Sequence, residues 1–262
     1  MKWKPNLVLN NKNNLQSELN LKTYTIKNNI NSIKYDFGAA DPFIYNNYLF
    51  CELIDKSLGH KGGVIGCSPL KDNLEFKVII KENFHLSYPH IFEYKKNIYM
   101  IPESSDSNKL FLYKCTDFPY KWIKKSILID NFPCSDSTIF KIKNKLYLFT
   151  TKFIKKKENE CETFLFKIKD LLNSKLKLIK KNILPLKYRG GGNTFTLNNE
   201  LYIPIQPSEV EFYGQRLSIY KIKKLENKEI IFEFAYEIKI PSQFKGIHHL
   251  SNHNNIFVCD NL

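Results

Sequence analysis

Arginine is nearly missing from this chain: only Arg189 and Arg216 stand among its forty basic residues. Proteins that grip nucleic acid lean on arginine for bidentate contacts. The formal charge of +14 therefore reads as a solvated lysine coat, with a general pull on anionic partners, and nucleic acid is excluded. Long apolar runs are missing too. No stretch approaches the roughly 20 residues that a membrane span needs, and the apolar run near Met1 is too short for a secretory leader. The six cysteines form no CxxC pair, which argues against a zinc cluster, and no cofactor is expected. Cys51 and Cys259 sit inside apolar runs and read as small core residues. Free thiols in a reducing cytoplasm are the expectation.

What is present is a repeat. A short apolar run, a polar turn and a second apolar run recur at Asp41–Glu52, His90–Glu103, Ser137–Thr151, Asn193–Gln206 and His248–Asp260. The aligned residues Leu49, Tyr99, Tyr147, Tyr202 and Phe257 lie 50, 48, 55 and 55 positions apart. A period near fifty built from strand hairpins predicts a β-propeller. Two further β-branched and aromatic runs follow each of the first four hairpins, giving four-stranded blades. The fifth hairpin ends the chain, so its outer strands must come from the N-terminus, where Asn6–Leu9 and Thr23–Ile26 are the candidates. The expected fold is all-β: one domain over residues 1–262, a five-bladed propeller closed by its own N-terminal strands, which leaves no open sheet edge.

This architecture says where chemistry should sit. The first strand of every blade lines the central channel, and those strands run parallel, so their beginnings meet at one face. Repeat phase places Asp41, His90, Asp136, Asn193 and His248 around that funnel, with Glu52, Glu103, Thr151, Gln206 and Asp260 one shell behind. A polar ring at the strand starts is not something a closed core requires. Asp41, Glu103 and Asp136 are the candidate catalytic carboxylates: one to attack or activate, one to protonate, one to tune pKa. His85, Tyr88 and His90 come to the rim before the second blade. Arg189, ahead of three glycines, could clamp a carboxylate or phosphate bidentately. His85, Tyr88, His90, Arg189, Asn193, Gln206 and His248 are the candidate binding residues. His248 and His249 alternate, so only one faces the funnel, and phase favours His248. No metal site is expected, because a zinc set of His85, His90 and His248 has no recognised spacing.

One series of motifs carries a resemblance. Ala40–Phe43, His85–Pro89, Tyr99–Glu103, Ser135–Ser137, Tyr147–Thr151, Arg189–Gly191, Gln206, Tyr213–Gly214 and Gly246–His248 occur in this order. Over residues 36 to 250 the chain resembles the N-terminal propeller domain of plant glucosamine inositolphosphorylceramide transferases and its bacterial relatives. More distantly it resembles the five-bladed glycoside hydrolase family 43. The resemblance implies a carbohydrate-active enzyme, with glycosyl transfer in surface-polysaccharide or glycolipid biosynthesis as the first expectation. A family 43 type glycoside hydrolase and a non-catalytic glycan-binding propeller are the alternatives. It implies a carbohydrate or activated sugar donor as partner; the basic balance adds the expectation of an anionic lipid-linked acceptor and of a cytoplasmic location reaching the inner membrane face. In family 43 the first-blade Asp is the general base and a third-blade Asp tunes pKa, phases matched by Asp41 and Asp136. The family's acid, a fourth-blade Glu, is replaced here by Asn193, so Glu103 would have to substitute.

Overall fold

In the computed structural model the described residues are 3–10, 15–26, 29–30, 33–34, 38–54, 62–154, 160–207, 210–225 and 229–261. They form five antiparallel sheets arranged as a five-bladed β-propeller. Blade I contains Ala39–Tyr45, Tyr48–Ile54, Gly63–Pro69 and Lys77–Ile80. Blade II contains Ser87–Tyr94, Asn97–Glu103, Leu110–Asp117 and Lys121–Ile129. Blade III contains Ser135–Ile142, Lys145–Phe153, Cys161–Asp170 and Lys175–Lys181. In blade IV the first strand is broken into Tyr188–Gly190 and Phe195–Leu197, ahead of Glu200–Pro207, Ser218–Lys224 and Ile230–Glu237. Blade V pairs Leu250–His253 and Ile256–Asn261 with Lys4–Val8 and then Leu21–Thr23.

The first strands touch one another in the order I, II, III, IV, V and back to I, so the ring closes. Closure rests on the N-terminus, as the strand count requires. Lys4–Val8 lies antiparallel to Ile256–Asn261, with Asn6 opposite Cys259. The buried Asn6 side chain donates to Asn261 Oδ1 at 2.8 Å and accepts from Thr23 Oγ1 at 2.6 Å. Both N-terminal strands begin two residues earlier than the apolar pattern suggests.

Each pair of neighbouring blades encloses its own apolar cluster. Phe43, Phe50, Ile91 and Met100 fill the I–II interface, and Ile101, Leu112, Leu148 and Ile168 the II–III interface. Phe149, Leu165, Ile203 and Ile222 fill III–IV; Leu197, Leu217, Leu250 and Phe257 fill IV–V; Leu7, Leu49, Val64 and Val258 fill V–I. Period-2 alternation supplies these faces, because both sides of every blade are covered by a neighbour. The inner hairpins turn through left-handed residue pairs: Asn46–Asn47, Lys95–Lys96, Asn198–Asn199 and Asn254–Asn255. Asn tolerates that conformation best among non-glycine residues, and such turns match the strand twist.

Candidate active site at the converging strand starts

A local irregularity builds the site. In blade I, Ala40 pairs with Glu52 but Phe43 pairs with Phe50, so the first strand carries one extra residue. The same shift occurs between Ser87 and His90 in blade II and between Ser135 and Thr138 in blade III. Within these bulges Asp41, Tyr88 and Asp136 take φ values of 49°, 45° and 47°. A bulge re-aims a side chain that the pleat would otherwise direct along the sheet face. Left-handed backbone at a non-glycine residue costs on the order of 1–3 kcal/mol and persists where the surroundings compel it. Here backbone hydrogen bonds do so: Asp41 N donates to Asp260 Oδ2 at 3.1 Å, and Asp136 N donates to Glu103 Oε2 at 3.1 Å.

The bulges correct the expected phase. The blade II counterpart of Asp41 and Asp136 is Tyr88, not His90. His90 lies at the position of Phe43 and Thr138, buried against Phe43 and stacked on Phe92. Its Nε2 accepts from Ile139 N at 3.1 Å, and burial drives its pKa down to about 3, so it is a neutral interior imidazole. Tyr88 is also fully enclosed. Its hydroxyl donates to Gly192 O and accepts from Gly192 N, both at 2.8 Å, while its backbone N–H donates to Asp41 Oδ2 at 3.2 Å. Asn193 exchanges two hydrogen bonds with the Asn252 backbone, each 2.8 Å, which ties blade IV to blade V. None of these three lines the cavity.

The cavity, about 450 Å³, is walled by Asp41 and Glu52 from blade I and His85 and Glu103 from the blade II region. Phe153, Arg189 and His248 bring in blades III, IV and V, and Trp3 and Tyr213 complete the rim. The three candidate carboxylates converge around it. Asp41 and Glu103 line it directly, and Asp136 lies directly behind, bonded to Arg189 and through its N–H to Glu103.

His248 is the hub of one half. Its Nε2–H donates to Asp41 Oδ1 at 2.9 Å. Its Nδ1 lies 3.0 Å from Asp260 Oδ2, an ion-pairing distance, although the angle falls outside that of a hydrogen bond. Asp260 is fully buried and also accepts the backbone N–H groups of Asp41, His248 and His249. Burial opposes charge on His248, yet the two carboxylates prevail and lift its pKa to about 10. Burial likewise pushes Asp41 up, and the bond and charge of His248, with His249 and Arg189, pull it down to about 2. Asp41 is therefore a carboxylate at any physiological pH. His249 lies edge-on to Phe43 and Tyr88 with its Nδ1 3.7 Å from Asp41 Oδ1, and burial lowers it to about 4 against the pull of that carboxylate.

The other half centres on Asp136 and Arg189. Arg189 Nε donates to Asp136 Oδ2 at 2.6 Å and Nη2 to Oδ1 at 2.8 Å. Its guanidinium also faces the rings of Phe153 and Tyr213 at 5.0 and 5.3 Å. The bidentate fork expected for an external anion is thus filled from within. Glu103 sits beside this pair and accepts from Ser105 Oγ at 3.0 Å. Burial, then the charge of Asp136, push Glu103 up to about 7 against the pull of Arg189. A third pair lies on the far wall, where His85 Nε2 stands 3.2 Å from Glu52 Oε1 and His85 Nδ1 accepts from Gly63 N at 3.1 Å. Burial raises Glu52 above its ordinary value. Burial lowers His85 and Glu52 raises it, with a net rise, while the Gly63 N–H opposes a second proton on the ring.

Asp41, His248 and Asp260 bring three ligand-type atoms within 4.8 Å of one another, the spacing of a cation site. The His248 imidazolium itself supplies the positive charge between the two carboxylates. The lining sets Asp41, Glu52 and Glu103 against His85, Arg189 and His248, with Asp136 and Asp260 buried behind them, so acid and base alternate around the cavity. The sequence reading did not single out Trp3, which the closing strand carries onto His248 at a ring distance of 4.1 Å. Its only signal was being one of two tryptophans.

Comparison with known proteins agrees with this architecture. Residues 23–255 match the family model "Glucosamine inositolphosphorylceramide transferase 1, N-terminal". A curated relative of that name from Oryza sativa subsp. japonica is 32% identical over 202 residues, which is 73% of this chain and 27% of the relative. The Arabidopsis thaliana counterpart is 32% identical over 209 residues, 72% of this chain and 26% of its own length. The chain thus spans about a quarter of the curated relatives it matches. Among solved structures, a GH43 β-1,3-galactosidase bound to galactodeoxynojirimycin superposes with a TM-score of 0.60 at 10% identity, over 83% of this chain and 82% of that one. A family 117 glycoside hydrolase from Zobellia galactanivorans gives 0.61 at 12% identity, over 96% and 92%. These likenesses concern the fold. By its sequence, the chain belongs to the glucosamine inositolphosphorylceramide transferase N-terminal family.

Proposed function

We propose that this cavity acts on glycosidic bonds, transferring a sugar in the assembly of a glycolipid or surface polysaccharide. One observation carries the reading: a single cavity holds one carboxyl at about 2 and another at about 7. Paired titratable groups driven apart by their surroundings mark a base and an acid. Asp41, ionised and oriented by His248 and the Tyr88 N–H, takes the proton of the attacking hydroxyl or attacks the anomeric carbon itself. Glu103, protonated below about 7, delivers its proton to the departing oxygen. Asp136 holds Glu103 up electrostatically, and Arg189 keeps Asp136 in place. The curated relatives are named for glucosamine, and carboxylates at the lining suit a sugar rich in hydroxyl or ammonium donors. Any phosphate of a donor or of an anionic lipid-linked acceptor would face the lysine-rich exterior rather than Arg189. We assign the reaction to the cytoplasm at the inner membrane face, since six unbridged thiols suit a reducing compartment.

The test is turnover of Asp41→Asn and Glu103→Gln with an activated sugar donor, with folding checked by circular dichroism. Each variant should lose about 10²- to 10⁴-fold in rate. Full activity in both would leave only the glycan-binding reading. A hydrolase of family 43 type is the second reading, favoured because Asp41 and Glu103 together could activate water without any donor. Reducing sugar released in the absence of donor would establish it. A carboxyl separation near 6.5–9.5 Å in a ligand complex would assign inversion, and about 5–5.5 Å retention.

A further inference from the structure

Behind the Arg189–Tyr213 wall lies a second, smaller cavity of about 130 Å³. Phe153, Arg189 and Tyr213 line both spaces, so the two are contiguous through these side chains. The smaller one adds Gln206, Glu211 and Phe212. Phe153, Phe212 and Tyr213 leave 40%, 38% and 49% of their surface exposed. Arg189 stands over Phe153 and Tyr213, but each ring keeps an open face, and with Phe212 beside them they form an apolar patch at the cavity mouth that a ligand face could cover. The polar groups among them are incompletely used. Gln206 is 3% exposed and donates its amide N–H to Gly190 O at 2.8 Å, while its Oε1 has no partner among the described residues. Arg189 spends Nε and Nη2 on Asp136, which leaves Nη1 as a donor at the junction of the two cavities. The Glu211 carboxylate adds an acceptor and disfavours an anion.

We propose that this side cavity is a subsite for a second, uncharged sugar ring, the unit joined to the one that reacts between Asp41 and Glu103. The proposal rests on the carbohydrate reading above and deepens it: the ligand is at least two rings long. A pyranose offers an apolar C–H face to Phe153 and Phe212, and hydroxyls to Gln206 Oε1, Glu211 and Arg189 Nη1. A lipid chain would cover the Gln206 carbonyl without offering it a donor, and a phosphate would meet the Glu211 carboxylate.

Calorimetric titration with a panel of methyl monosaccharides, and with disaccharides built from them, tests this on the wild-type chain and on Phe153→Ala and Phe212→Ala. Both rings are substantially exposed, so folding should survive, and thermal melts check that it does. At least one disaccharide should bind tighter than its monosaccharide. Each substitution should remove about five- to tenfold of that advantage, and Phe212→Ala, whose ring lies outside the main cavity, should leave monosaccharide affinity unchanged. Disaccharides that bind no tighter than monosaccharides overturn the subsite, as does an equal loss for both ligand lengths in Phe212→Ala. If no sugar of either length binds the wild type, the carbohydrate reading itself falls, and the subsite with it.

Discussion

Each ionisable residue in the cavity has a partner that decides its charge, and pH behaviour follows from those pairings. Glu103 acts as an acid only while protonated, so turnover should fall as pH rises through about 7. Asp41 stays ionised down to about 2, so no acid limb should appear near neutrality. A pH–rate profile of Glu103→Gln should lack the alkaline limb, along with most of the rate. Stability should respond on the acid side. His90 and His249 are buried neutral, with folded values of about 3 and 4 below the ordinary 6.5. Their folded values are depressed, so the unfolded chain takes up protons first as pH falls below 6.5, and stability drains between 6.5 and the folded values. Denaturant melts at pH 7 and pH 5 should show a loss of order 1 kcal/mol or more per histidine. His248 works in the opposite sense, since its stabilisation is complete below 6.5 and is lost as pH rises toward about 10.

At the scale of the element, the repeated one-residue bulge turns a strand into a site. Asp41 and Asp136 would follow the ordinary pleat without it. Blade IV shows the counterpart, a first strand interrupted so that glycines can pass close to blade III and blade V. A Cβ on Gly190 would fall 2.6 Å from Asp136 O and 2.8 Å from Asp136 Cβ. A Cβ on Gly192, where φ is +146°, would fall 1.7 Å from Leu250 O. The run Gly190–Gly192 is therefore a close-packing device rather than a slack connection. Gly190→Ala should move Asp136 and Arg189 and so shift the alkaline limb of the rate profile, with a clear fall in melting temperature, because the clash is with backbone and Cβ rather than a flexible tip. Gly192→Ala should destabilise the whole chain by about 3 kcal/mol or more, since it adds a backbone clash to a conformation that side chains rarely adopt.

At the scale of the molecule, closure and the site are one feature. The strand Lys4–Val8 that completes blade V also delivers Trp3 to the cavity wall, where the ring lies tilted against His248 and meets Tyr213 edge-on. A Cβ-free Gly214 makes room for it: a side chain there would stand 2.5 Å from the Trp3 ring. Asn6→Ala should leave the Asn261 amide without its partner and cost about 1–3 kcal/mol in a denaturant melt. Trp3→Ala should spare most stability but loosen His248 and lower affinity for any sugar held over it. An unchanged binding isotherm in that variant would place Trp3 outside the ligand's reach.

The repeat of apolar runs determined the five blades, their order and the need for N-terminal closure, because strand pairing and two-sided burial are written in period-2 patterns that survive in one dimension. It also marked Asp41, Glu103, Asp136 and His248, since ionisable residues at fixed repeat phase do not arise from core packing, while Arg189 stood out as one of only two arginines, ahead of a glycine run. The sequence reading put His90 and Asn193 on the funnel and Tyr88 at the rim, whereas in the structure none of the three lines the cavity: the one-residue bulges of blades I–III and the interrupted first strand of blade IV leave no mark in the apolar pattern. Only the tertiary structure decided that Arg189 serves Asp136, that His248 is charged between Asp41 and Asp260, and that Trp3 reaches the cavity. Those outcomes depend on distances between blades some 50 to more than 200 residues apart. Charge states there are set by burial and by partners, which folding alone brings together.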